Sequence, residues 1–298
     1  MTLKQLQYAV TVADIGNITE AAKRLYIAQP SLTSAIKELE SEYGIVMFKR
    51  GKKGIEVTPE GDEFLGYARQ VLEQVNLIDE RYMGNAHGKL RFCVSSQHYS
   101  FVVEAFVALL KECGGDKYEF HMRETQTFDI IDDVAHLRSE IGILYLNKFN
   151  ETVIRKTLRD NGLTFTTLFK AKPHVFIGKN SPLASKESLT LKDLVPYPRL
   201  SYEQGSHNSF YFSEEILSTV DCDKELIVRD RATLFNLLIG LNGYTICSGV
   251  ISKELNGPNI IAKPLKVDDY MEIGYVLPSS IHPSPLTLKY IEYLRAVI

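Results

Sequence analysis

Apolar residues at Ala21, Ala22 and Leu25, and again at Leu32, Ile36 and Leu39, recur at three- and four-residue steps, the period that gives a helix one buried stripe. Between them, Tyr26-Ile27-Ala28-Gln29-Pro30 ends the first helix, because the residue before a proline is pushed out of the helical region. Pro30 itself suits the first turn of the second helix. The pattern predicts a helix-turn-helix within Thr19 to Tyr43. Ahead of it, Leu3, Leu6, Ala9, Val10 and Ala13 trace a third amphipathic helix; behind it, Phe48 to Val57 reads as a tight hairpin with glycines at the turn. The second helix leaves Gln29, Ser31, Thr33, Ser34 and Lys37 off its stripe, beside Pro30. Such groups fit either a merely solvated hairpin or a surface that meets base edges and phosphates in a major groove. The third helix and the hairpin's cations Lys49, Arg50, Lys52 and Lys53, a basic wing for a phosphate backbone, favour double-stranded DNA as a partner.

Thr58 can cap a long helix, with Pro59 at its first position and Glu60, Asp62 and Glu63 in a first turn where the helix dipole favours them. Phe64, Ala68, Val71, Val75, Ile78 and Tyr82 then alternate steps of four and three, the spacing of a coiled-coil seam. A seam on a helix between domains predicts a homodimer; packing on the chain's own next domain is the alternative. Met83 to Lys89 breaks the helix. From Leu90 the pattern becomes strands alternating with helices: strands at Leu90 to Val94, Tyr118 to Met122 and Ile141 to Tyr145, with helices at Phe101 to Cys113 and Phe128 to Arg138. After Asn161-Gly162 come strands at Thr164 to Ala171, His174 to Gly178, Arg199 to Tyr202, Glu225 to Arg229 and Tyr244 to Cys247. Helices are expected at Ser209 to Ser218 and Arg231 to Ile239. A strand at Met271 to Leu277 and a helix at Leu286 to Val297 close the chain, and the order implies a mostly parallel sheet flanked by helices.

The first sixty residues resemble the LysR-type transcriptional regulators. The likeness rests on Ala21-Ala22, Leu25, Gln29-Pro30-Ser31-Leu32, Ile36, Leu39-Glu40, Gly44, Phe48, Arg50 and Thr58-Pro59-Glu60-Gly61, with Asn17 and Met47 as mild departures. It implies an α+β multidomain chain: a winged helix-turn-helix over residues 1–58, a dimer-forming linker helix over 59–86 and a two-lobed, periplasmic-binding-protein-like α/β effector domain over 88–298. Lobe I would take about 88–161 and 268–298, and lobe II about 162–267. The family expectation extends to homotetramers that bend DNA, and to contact with RNA polymerase if the protein is an activator.

Ligands of α/β sheets gather where strands end and helices begin. Ser95-Ser96-Gln97-His98 stands at such a point, its hydroxyl and amide groups beside free backbone donors suited to a carboxylate, sulfate or phosphate; plain helix capping by Ser95 or Ser96 is the alternative. Thr127 falls where the family often has a ligand-contacting threonine. The Ser201-Tyr202-Glu203-Gln204-Gly205 stretch is similar to the family's Thr-Tyr-x-x-Gly loop, with His207 after it as either a charge at mildly acid pH or a surface histidine. Tyr145 is placed to line the cleft or to pack, and Thr245 and Cys247 replace small aliphatics of the family's last inner strand. The Ser96-Gln97 pair and the Ser201-Tyr202 loop look most like the branch that senses sulfur metabolites. The expected effector is therefore small and anionic, with no cofactor.

Composition adds bounds. The 298 residues, 45% hydrophobic and 24% charged, describe an ordinary globular chain of more than one domain. A net charge of -3 excludes coating of nucleic acid by bulk charge but not a local basic patch. No run approaches the roughly 18 apolar residues of a membrane span, and the expectation is a cytoplasmic protein without a membrane partner. Cysteines 93, 113, 222 and 247 form no Cys-x-x-Cys pair. The seven histidines lack metal-ligand spacing, and no nucleophile motif or phosphate loop is present, which counts against the rival readings of an enzyme or solute-binding protein with a helical accessory domain. Asp129, Asp132 and Asp133 fall at helical spacing as a solvated face.

Overall fold

A computed structural model describes residues 1–51, 54–83, 90–205 and 209–298. The expected wing tip at Lys52 and Lys53, the break at residues 84–89, and His207 lie outside the described residues. The chain divides into two compact units, Met1–Gly88 and Lys89–Ile298. Among the described residues no helix is long and apolar enough to cross a membrane.

In the first unit, α1 (Leu3–Ile15), α2 (Ile18–Arg24) and α3 (Gln29–Tyr43) form the expected three helices. Asn17 caps α2, its Oδ1 accepting from the Thr19 and Glu20 amides at 2.9 and 3.2 Å, so this departure from the family residue keeps the cap. Leu6, Ala9 and Val12 of α1 close with Ala21, Ala22, Leu32, Ile36 and Leu39 on one core. Strands β1 (Phe48–Gly51) and β2 (Gly54–Val57) pair antiparallel as the wing. The wing is fixed to the α1–α2 turn: Ile55 N donates to Gly16 O at 2.9 Å, and Gly54, at φ +139°, lies so close that a Cβ there would sit 2.6 Å from the same carbonyl.

The long helix α4 (Pro59–Met83) starts as expected, with Thr58 Oγ1 accepting from Gly61 N at 2.9 Å. Gly61 is required by packing, since a Cβ would fall 2.4 Å from Met47 O. The seam needs correction. The first turns of α4 pack on α1, so Leu65 and Ala68 are buried in this unit's own core, and Phe64 is half-buried with its ring 5.1 Å from that of Tyr43. Val71 and Ile78 remain exposed and Val75 half-exposed, so the free part of the stripe begins a turn later than the heptad reading placed it.

The second unit holds two five-stranded sheets. In lobe I, β3 (Leu90–Ser96), α5 (Ser100–Cys113), β4 (Tyr118–Glu124), α6 (Thr127–Ala135), β5 (Ile141–Leu146), α7 (Glu151–Asp160) and β6 (Leu163–Ala171) run in sequence. Lobe II then has β7 (His174–Gly178), α8 (Leu191–Leu194), β8 (Arg199–Tyr202), β9 (Glu225–Val228), α9 (Arg231–Gly240), β10 (Tyr244–Cys247), α10 (Lys253–Asn256) and β11 (Ile260–Pro264). The chain returns to lobe I with β12 (Met271–Pro278) and α11 (Pro285–Ala296). Sheet orders are β4-β3-β5-β12-β6 and β11-β7-β10-β8-β9. The sheets are mixed rather than mostly parallel, because β12 runs antiparallel to β5 and β6, and β7 antiparallel to β10 and β11. β6 lies in lobe I, so the first crossing comes at about residue 172 and not 162. Along β5, Ile141, Ile143 and Tyr145 face one apolar cluster with α5 and α11, while Leu144 and Leu146 face another with α6 and α7.

The helix expected over Ser209 to Ser218 is absent. Only a single 3₁₀ turn, Phe210–Phe212, forms there, and the segment lies instead against lobe I. Phe212 meets Phe128 edge-on with ring centres 5.7 Å apart, Tyr211 stacks on Phe149 at 4.7 Å, and Tyr145 donates its hydroxyl to Ser213 O at 3.1 Å. Partners in another lobe outweigh the helical spacing of the aromatics.

Candidate functional site

Two surfaces carry the chemistry. On α3 the buried stripe leaves Gln29, Pro30, Ser31, Ser34 and Lys37 exposed, as the pattern requires of a groove-reading helix. Thr33 is half-buried and its hydroxyl donates to Gln29 O at 2.9 Å, so it is held by its own helix. Gln29 has its Oε1 steadied by the Thr19 hydroxyl at 3.2 Å, a positioning contact that periodicity does not reveal. Lys49 is exposed on β1, the strand that also carries Arg50.

The second surface is the cleft between the lobes. Ser95, Ser96, Gln97 and Thr127 are buried, with their side-chain polar groups bonded inside lobe I. β3 runs two residues further than expected, which puts both serines inside the sheet. Ser95 Oγ donates to Asp133 at 2.7 Å, Ser96 Oγ to the Gln97 carbonyl at 2.7 Å, and Gln97 Nε2 to Thr127 at 2.6 Å, while Gln97 Oε1 accepts from the Tyr99 hydroxyl and Tyr145 N. Ser96, Gln97, Thr127 and Tyr145 form one internal network at the β3–α5 turn and Ser95 a separate one with Asp133 and Ser139, so the ligand-contact assignment moves off them. The likeness to the sulfur-metabolite branch rested partly on Ser96 and Gln97 and so carries no ligand class. Asp133 is also no solvated residue: it is buried and bonded by Arg123, Arg138 and Ser95.

What faces the cleft is His98 at the turn, Glu124 at the end of β4, and Tyr202, Glu214, Glu215, Arg231, Thr245 and Cys247 from lobe II. Glu214 reaches across to lobe I. Its carboxylate accepts from His98 N at 3.0 Å and lies 2.9 Å from His98 Nδ1, with both side chains about 5% exposed or less. Tyr202 stacks on the imidazole at 3.9 Å between ring centres, 6° from parallel. Burial opposes a charge on His98, but the Glu214 carboxylate outweighs it and holds the His98 pKa above its ordinary value. Glu215 accepts from Tyr202 N at 2.9 Å; burial, then the neighbouring Glu214 charge, pushes its pKa up to about 8, so it is mostly protonated at neutral pH. Arg231, at the start of α9, stands 3.0 Å from Glu124, whose pKa burial raises. The cavity left among these groups is about 40 Å³, room for roughly two or three waters.

The carboxylate of Glu214 thus occupies the position read from the sequence as an anion site, at the N-terminal end of α5, but the site is built from His98 rather than from the serines. Ser201 turns to Glu225, its hydroxyl donating at 3.3 Å. Burial raises the Cys247 thiol far above its usual range, and that of Cys93 above its own, which leaves little thiolate at either. Glu214, Glu215, Arg231 and Glu124 were missed in sequence. The one signal was the Glu-Glu pair set directly between Phe212-Ser213 and Ile216-Leu217, apolar flanks that are unusual for a solvated acidic pair.

This arrangement of helices, wing and paired α/β lobes has close counterparts. Over 245 residues the chain is 28% identical to the HTH-type transcriptional regulator AlsR of Bacillus subtilis (strain 168), covering 81% of this chain and 77% of that protein. A full-length OxyR variant from Pseudomonas aeruginosa shares the fold with a TM-score of 0.70 at 19% identity, covering 99% of this chain and 95% of the other. Full-length CbnR complexed with its target DNA aligns with a TM-score of 0.59 at 19% identity over 100% of both chains. Residues 3–62 match the bacterial regulatory helix-turn-helix protein family, lysR type, and residues 84–298, the greater part of the chain, match the LysR substrate binding domain. A transcriptional regulator and not an enzyme, this chain belongs to the LysR family.

Proposed function

We propose that this DNA-binding, ligand-responsive regulator works in the cytoplasm and responds to a small anion that takes the place of the Glu214 carboxylate at the β3–α5 turn. The observation that carries the reading is that carboxylate itself, held by the His98 amide and imidazole under the Tyr202 ring. A site that binds a carboxylate supplied by the chain has the donors to bind one from outside. Among the described residues the other cation at the cleft, Arg231, already stands against Glu124, so the incoming anion competes with Glu214 for His98.

On the output side, two copies of α3 read the halves of an inverted repeat. Gln29, Pro30, Ser31, Ser34 and Lys37 lie near bases or phosphates, Thr33 supports Gln29, and Lys49, Arg50, Lys52 and Lys53 lie on the backbone. The copies are held by the free part of the linker stripe, Val71, Val75 and Ile78, in a dimer that pairs into a tetramer, with RNA polymerase as a further partner if the protein activates. An effector shifts the arrangement of the dimers on DNA only through its differential affinity for the two arrangements, typically about 1–3 kcal/mol. Titration calorimetry of the full-length protein against sulfate, O-acetylserine and small carboxylates tests the input. Heat from at least one, lost in a His98→Ala variant, is the expected result; silence across the whole set removes the anion reading.

A further inference from the structure

Tyr26 is 95% exposed, and among the described residues neither its ring nor its hydroxyl has a partner. Its backbone is in the left-handed region, φ +54°. The local bonds explain the conformation: Tyr26 N donates to Lys23 O and Ile27 N reaches back to Ala22 O, both at 3.1 Å, the pair that closes a helix with a left-handed residue just past its end. Glycine meets that demand without strain, whereas a side chain with a Cβ is disfavoured there. The turn therefore holds a large aromatic at a place where the backbone favours glycine, and at 95% exposure the ring gains no burial that would offset that strain. It stands three residues ahead of Gln29, immediately before the end of α3 that leads a recognition helix into the groove. The Thr19–Gln29 contact ties the two helices on either side of the turn.

We propose that Tyr26 contacts DNA, its ring lying along a sugar edge at the lip of the groove and its hydroxyl donating to a phosphate oxygen. The inference rests on α3 being the reading helix. A phenol is neutral, so this contact positions the duplex without displacing a counterion, which separates it from the lysines and Arg50 of the wing.

The test is an anisotropy titration of the full-length protein, over a range of salt concentrations, against a duplex enriched from a random-sequence pool by the parent protein. Three variants are compared: Tyr26→Phe, Tyr26→Gly and Gln29→Ala. Losing one hydrogen bond to a charged group makes Tyr26→Phe bind about tenfold more weakly, with the slope of log affinity on log salt unchanged. Tyr26→Gly binds no better than Tyr26→Phe, yet its Tm rises by about 4 °C because the left-handed strain is gone. Parental affinity in both Tyr26 variants, with Gln29→Ala weakened, overturns the contact. A Tm that falls in Tyr26→Gly overturns it too, since the ring would then be serving the fold. Parental affinity in all three variants instead removes the DNA-facing reading of α3, and the inference with it.

Discussion

Replacing Glu214 by Gln keeps the shape of the side chain and an acceptor for His98 N, and deletes the charge that holds the imidazole. Both partners are within about 5% of full burial, at 2.9 Å, so the contact is little screened by water. A hydrogen bond to a charged group contributes about 1.5–3 kcal/mol. The larger figure of about 3–5 kcal/mol for breaking a buried ion pair does not apply, because His98 can discharge by losing its proton. The equilibrium between docked and undocked Phe210–Glu215 segment should therefore move by roughly ten- to a hundredfold. Two assays read it. Amide exchange of residues 209–217 should lose protection by that factor while β5 keeps its own. A small carboxylate that binds the parent should bind the variant more tightly by a similar factor, because the fraction of molecules with a vacant site has risen. Unchanged protection and unchanged affinity together would refute the idea that Glu214 holds the site.

Docking should also weaken as pH rises. Glu215, pushed from 4.5 up to about 8, and His98, raised above 6.5, both have folded pKa values above their unfolded ones, so their contribution is complete at low pH and is lost as pH climbs through the folded values. Protection factors of residues 209–217 measured from pH 6 to 9 should fall, and a flat or rising profile contradicts the assignment. Val71→Asp with Ile78→Asp should give monomers by sedimentation while leaving the Tm of the helix-turn-helix within about 2 °C, because neither side chain is part of its core; an intact dimer rejects the seam. In gel shifts, Arg50→Ala should weaken binding to every duplex and flatten its salt dependence, whereas Gln29→Ala should mainly relax sequence preference. Parental behaviour in both would mean another face meets the DNA.

The DNA-binding unit was legible because its signals are local. Stripe, turn proline, wing glycines and the Thr58 cap each act within a few residues, and the structure places them as read. The effector unit was legible in element order but not at its site. Ser95 and Ser96 look like a polar loop, yet they continue β3 beside Arg123 and Glu124 of β4, and Asp133 and Ser139, about forty residues away, take the Ser95 hydroxyl. The Ser209 to Ser218 stretch has helical spacing of apolar residues, but Phe128, Tyr145 and Phe149 of the other lobe decide its course. Ala68 was assigned outward by heptad counting, although α1 already covered it. In each case a distant partner outweighed the local pattern.

The segment from Phe210 to Glu215 has a mechanical consequence. The two strands of chain that join the lobes both leave lobe I from one side of its sheet, at β6 and β12. Two such joints define an axis about which one body can swing on the other. The segment adds a third joint on the far side, at the turn after β3 and the start of α6. The Arg231–Glu124 pair and the Ser252 amide on the Ser100 hydroxyl also tie the two lobes, so swinging about that axis requires all of these contacts to part together. The lobes of this protein are then expected to behave less like a hinge than like a catch, held until those ties release together.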